Sequence, residues 1–169
     1  MHVYVPATLA MLARVVSEQS LRPVNGTAFA VTPTLREAYA EGNDDELADV
    51  ALREAAMASI RLLGNEDTEG LPPRRVVVEV DLGDRTDAVK LRPDLDDAVV
   101  RISGRVNLDQ VVAAYVDNAE AEPAVKAAIA VVDDADLGDE DAEFVVGDAQ
   151  DHALAWYATQ ELPFLLDLL

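Results

Sequence analysis

The spacing of apolar positions divides the chain into short segments. His2 to Val5 is an apolar strand closed by Pro6, and Thr8 caps a helix whose Leu9, Leu12 and Val16 share one face. VNGT, from Val24 to Thr27, is a turn signal that leads into a second strand, AFAV. Thr32 and Pro33 then supply the N-cap and first position of another helix, with Thr34 and Glu37 as an alternative capping box. The EGND stretch breaks it at Gly42. Asn43 with Glu46 caps a longer helix that runs to Gly64, with Leu47, Val50, Ala51, Ala58 and Leu62 as its buried stripe.

NEDTEGLPP, Asn65 to Pro73, reads as a loop, and RRVVVEV after it reads as a strand. VVRISGRV alternates, with Val100, Ile102 and Val106 on one face and Arg101, Ser103 and Arg105 on the other. VVAAYV fits helical spacing, yet its β-branched and aromatic content favours a strand. Glu122 and Pro123 begin a helix with Val125, Ala128, Ile129 and Val132 inward, and Asp133 and Asp134 oppose its C-terminal dipole and should end it. EFVV is a short strand candidate. Asp148 or Asp151 caps a last helix, which Pro163 limits or kinks. Strands that alternate with helices predict one α/β domain over residues 1–169, α+β being the other arrangement. Its sheet is expected to be mixed, with about five strands and helices packed on it.

Composition sharpens this picture. Half the residues are hydrophobic and only 5% aromatic, the signature of a closely packed globule in one core. The chain has no cysteine, which excludes disulfides, thiolate metal sites and cysteine nucleophiles. The first residues lack a basic region and are interrupted by Pro6 and Arg14, so a cytoplasmic protein without a membrane span is expected.

Net charge is −20, and its distribution is uneven. Residues 106–169, an acidic C-terminal third assigned to the same domain, hold fifteen carboxylates and one cation, Lys126. Such a field repels phosphate backbones, so no direct nucleic-acid binding is expected. It attracts a basic protein surface, or it serves only solubility.

The stretch from Asp133 to Tyr157 concentrates the candidate chemistry, with nine carboxylates, His152 and the only tryptophan. As a calcium loop its register fails: counted from Asp134, Gly138 falls at position 5 and Val145 at position 12, where glycine at 6 and Glu at 12 are required. Asp133, Asp134, Asp136, Asp139, Glu140 and Asp141 are therefore read as a solvated edge and a candidate interaction surface. Asp148 and His152, four apart on a helix, would share one face within reach of a divalent ion, though two ligands make no site. Trp156 and Tyr157 adjoin an apolar stripe and are expected in the core. No phosphate-binding, dinucleotide, zinc-hydrolase or serine-nucleophile motif occurs, so no cofactor is expected.

VYVPATL, GTAFAVTPTLREAYAEG, AEPAVKAA and DAEFVVGDAQDHALAWYATQELPFLL together resemble an uncharacterised family of small acidic proteins from high-GC actinobacteria. The resemblance implies a cytoplasmic protein without an assigned activity, and it carries no site residue over. The expected function is that of a non-enzymatic interaction or regulatory protein with an acidic surface. The alternative is a small metal-binding protein or enzyme centred on Asp148 and His152.

Overall fold

The structure is a computed structural model that describes residues 1–66 and 70–169. The helix caps read from the sequence close as local hydrogen bonds. The Thr8 hydroxyl accepts from the Met11 N–H and starts α1, Leu9–Glu18. The Thr32 hydroxyl accepts from the Leu35 N–H ahead of α2, Pro33–Ala38. Asn43 accepts from the Glu46 N–H and starts α3, Asp44–Asn65. Each cap satisfies an amide that the first helical turn leaves unpaired.

The strands are β1 (His2–Ala7), β2 (Ser20–Leu21), β3 (Thr27–Phe29), β4 (Val76–Asp81), β5 (Val89–Leu91), β6 (Val99–Ile102), β7 (Val106–Asn107), β8 (Val111–Val116) and β9 (Ala155–Ala158). The remaining helices are α4 (Glu122–Asp136), α5 (Glu140–Gln150) and α6 (Leu162–Asp167). Seven strands form one sheet in the order β5-β6-β3-β1-β4-β8-β9, and β2 pairs with β7 apart from it. Every pairing is antiparallel. The protein is a single α+β domain, which corrects the mixed sheet of about five strands. The strand count was low because β2, β5 and β9 are too short to show a period, and because VVRISGRV is two strands. Gly104, at φ +79°, turns the chain between them, and β7 leaves the main sheet to pair with β2.

The alternation in the valine-rich strands places two cores on the two sheet faces. Val3, Val5, Val76, Val78, Val80 and Val116 pack with Leu9, Leu12 and Val15 of α1 and Leu162 of α6. Val100, Ile102 and Val106 join that cluster, as their alternation predicts. On the other face Tyr4, Phe29, Val77 and Val99 meet Leu47, Ala51 and Ala55 of α3. A third cluster packs α4 and α5 against α3 through Ile60, Leu63, Val125, Ala128, Val132 and Val146. Buried Ser59 ties α3 to the sheet, donating to the Ala7 carbonyl at 2.7 Å and accepting from the Val76 N–H at 3.0 Å.

Two readings of the acidic third are corrected. EFVV is helical and lies inside α5, because Ala142, Val146 and Ala149 recur at helical spacing and bury together. α4 continues past Asp133 and Asp134 to Asp136, since buried Ala135 extends its packing face and Arg61 neutralises Asp136. The predicted loop from Asn65 to Pro73 falls in part on residues 67–69, which lie outside the described residues.

Candidate functional site

The six acidic residues of the candidate surface sit where α4 turns into α5. Asp133, Asp134, Asp136, Asp139, Glu140 and Asp141 are all exposed. They are not one loose loop. Asp133, Asp134 and Asp136 lie on the last turns of α4. Asp139 is the N-cap of α5, accepting from the Ala142 N–H at 2.9 Å. Glu140 and Asp141 occupy its first turn, where the helix dipole favours negative charge. Asp136 accepts two hydrogen bonds of 2.9 Å from the Arg61 guanidinium, which holds its carboxyl below the usual range. Among the described residues, none of the other five makes an ion pair within 4.0 Å.

Asp148 and His152 are not presented together on a helix. Asp148 is exposed in the last turns of α5, and the helix ends at Gln150, so His152 lies in the turn beyond it. The predicted helix start at Asp148 or Asp151 is the end of one instead. Among the described residues, no group of three or more histidine or acidic side chains could hold a metal ion.

His152 serves the fold through its backbone. Arg75 is 2% exposed and Asp117 is fully buried. The Arg75 guanidinium donates from Nε and Nη2 to the two Asp117 oxygens at 2.8 and 2.7 Å, and the Arg75 amide donates to the same carboxylate at 2.8 Å. Two further guanidinium hydrogens reach Gln150 Oε1 and the His152 carbonyl, each at 2.8 Å. This fork pins the turn that carries the chain from α5 into β9.

Beside that turn lies an open pocket of about 350 Å³, walled by Asp49, Arg53 and Ala56 of α3, Tyr115 of β8, and residues 150–154. Strand register extends it into a row of chemistry on the α3 side of the sheet. Tyr4 lies opposite Glu79, and Tyr115 lies opposite Trp156. Directly paired residues share a sheet face. The Tyr115 hydroxyl donates to Glu79 Oε1 at 2.9 Å, and His2 Nδ1 lies 2.9 Å from Glu79 Oε2. The Tyr4 and Tyr115 rings stand 6.4 Å apart and tilted by 56°.

Burial and nearby carboxylates both act on the two tyrosines. Burial and the charges of Glu79, Asp49 and Asp45 push the Tyr4 hydroxyl up to about 12. Burial, the hydrogen bond to Glu79 and its charge raise Tyr115 as well. Trp156, expected in the core, is 56% exposed. The helical stripe assigned to it does not exist, because residues 155–158 form β9 at the sheet edge, where Tyr157 turns to the core and Trp156 away from it. Sequence reading missed Glu79, Asp117 and Tyr115 as site residues. The first two are lone carboxylates inside or directly after valine-rich strands, a context in which an unpaired charge is costly and a partner should be sought.

With this geometry in hand, the chain can be placed. The sequence pattern of a family of unknown function (DUF6912) matches residues 1–166, and the chain belongs to that family. No curated protein and no solved structure matches it. Among the described residues, no helix is long and apolar enough to cross a membrane.

Proposed function

We propose that this member of the DUF6912 family is a non-enzymatic interaction protein whose α4–α5 hairpin meets a basic surface on a protein partner. One observation carries the reading: Asp133, Asp134, Glu140 and Asp141 crowd a single exposed helix junction with no cation paired to them among the described residues. Carboxylates concentrated on an exposed junction steer a cationic partner and give its approach an orientation. The same field disfavours nucleic acid, whose binding needs phosphate neutralisation. The alternative reading, a metal or acid–base centre on Asp148 and His152, finds no third ligand among the described residues.

The test compares the wild type with a hairpin variant carrying Asp133→Asn, Asp134→Asn, Glu140→Gln and Asp141→Asn. Partners retained from a cell extract at low salt should elute as the screening length falls below about 8 Å, and the variant should lose them. A partner held equally by both proteins, or insensitive to salt, overturns the reading. Calorimetry of the wild type with zinc covers the alternative: a one-to-one site abolished by His152→Ala would establish it.

A further inference from the structure

We propose that the small cavity between residues 82–88 and the turn from β6 into β7 is a halide site that holds one chloride ion. The inference stands apart from the docking reading and uses none of its residues. Leu82, Ala88 and Ile102 give the cavity apolar walls, and Arg85, Ser103, Arg105 and Gln110 give it polar ones. Its frame is backbone: the Ser103 N–H donates to the Ala88 carbonyl at 2.9 Å and joins the two sides. Gly104, at φ +79°, turns the chain between Ser103 and Arg105.

The wall sets the sign of the occupant. Among the described residues no carboxylate lines this cavity, whereas the pocket beside Asp49 mixes both signs. With 33 carboxylates against 13 lysines and arginines, acidic partners are abundant, yet among the described residues neither Arg85 nor Arg105 makes an ion pair. Asp84, Asp87 and Asp109 neighbour wall residues in sequence, but they are exposed and none lines the cavity. The neutral groups are donors as well. Gln110 Oε1 already accepts from the Asn107 N–H at 3.0 Å, which leaves the amide its NH2 end, and the Ser103 hydroxyl can donate beside it. Size then sets the class. The cavity measures about 20 Å³, room for one water-sized body, and a phosphate, sulfate or carboxylate group is larger than that. Among halides, the apolar part of the wall favours chloride over fluoride, because the more strongly hydrated ion loses more on leaving water. The net charge of −20 works against any anion at long range, so retention falls to these local donors. A chloride between the two guanidinium groups offsets their repulsion and ties down the corner where β7 leaves the main sheet.

Chloride-35 NMR tests this on the whole chain, since exchange with a protein-bound ion broadens the signal of the bulk ion. The wild type should give an excess linewidth that bromide titrates away and fluoride at the same ionic strength does not. The double variant Arg85→Gln, Arg105→Gln should lose most of that excess. Arg22→Gln with Lys90→Gln should keep it, because neither residue lines the cavity. The two double variants carry the same net charge, so the long-range field is matched between them. Arg85 and Arg105 are exposed, so their replacement leaves the core intact. Urea midpoints give a second readout. Replacing fluoride by chloride at constant ionic strength should raise the midpoint of the wild type relative to that of Arg85→Gln, Arg105→Gln, as a ligand of the native state requires. An excess linewidth that is equal in the wild type and that variant, or absent from the wild type, overturns the proposal. A chloride effect on the midpoint that is the same in both proteins overturns it as well.

Discussion

Two sets of carboxylates in this protein, one crowded along the chain and one set singly among valines, behave oppositely in structure. The acidic run at the α4–α5 junction stays in water, and among the described residues only Asp136 of its six meets a cation. Asp117 and Glu79 lie within the sheet layer, and each is held by named partners at 2.7–2.9 Å. Density of charge along the chain therefore marks solvation, while a single charge amid valines marks a built network. The reason is energetic: a buried carboxylate without partners would cost several kcal/mol, so its presence in a folded chain implies that partners converge on it. An exposed carboxylate carries no such implication.

The sharpest break of this comparison is to delete one carboxylate from each set. Asp117→Ala leaves the Arg75 guanidinium buried without its partner and frees the turn at His152, so it should destabilise by about 3–5 kcal/mol. Asp134→Ala at the helix junction should stay within about 0.5 kcal/mol of the wild type. Urea denaturation of the two variants checks both figures. Replacing Arg75 and Asp117 together by methionine and leucine should cost less than Asp117→Ala alone, because it removes the stranded charge. Equal stability of Asp117→Ala and Asp134→Ala would erase the distinction between the sets.

How much of this was legible follows from the range of each signal. The caps at Thr8, Thr32 and Asn43 were readable because a cap is a contact over three residues. VVVEV and VVAAYV were readable because β-branched runs suit a pleated surface. EFVV misled for the same reason: its neighbours Ala142 and Ala149 form the helical face, and alanine carries too weak an apolar signal to reveal the period. β9 resembles a helix in sequence because Leu154, Ala155, Ala158 and Leu162 imitate a stripe, whereas an edge strand is defined by its pairing to β8, some forty residues upstream. The Arg75–Asp117 fork was beyond reach altogether. Partners 42 residues apart leave no local pattern.

A smaller effect tests the buried set from the tyrosine side. Burial, with the Glu79 charge next in weight, moves the Tyr4 hydroxyl from 10.0 to about 12 in the folded protein. A folded value above the unfolded one means that the native state binds more protons in that interval, so stability is complete below pH 10 and falls as pH rises toward 12. Two units correspond to a ceiling of about 2.7 kcal/mol, which solvent screening reduces to roughly half. Urea midpoints across this alkaline range should decline in the wild type and decline less in Tyr4→Phe. Equal slopes would show that Tyr4 ionises as freely in the folded chain as in the unfolded one.

The smallest effect belongs to the one ion pair in the exposed set. Arg61 and Asp136 form a bidentate fork, but their side chains remain 42% and 38% exposed. Both ions keep much of their hydration, so the geometry that stabilises Arg75–Asp117 strongly is discounted here, and a coupling of about 0.2–1 kcal/mol is expected. The pair ties the last half of α3 to the end of α4, where Asp136 otherwise faces the unfavourable end of the helix dipole. A double-mutant cycle with Arg61→Ala and Asp136→Ala measures the coupling, which should shrink as salt rises. Its acid dependence has a definite sign. Arg61 lowers the Asp136 carboxyl, so the contribution is present above the usual carboxylate value and disappears as pH falls through the lowered one. A coupling above about 2 kcal/mol that survives high salt would place Asp136 with Asp117 rather than with its neighbours, and would show that the junction is a built network as well.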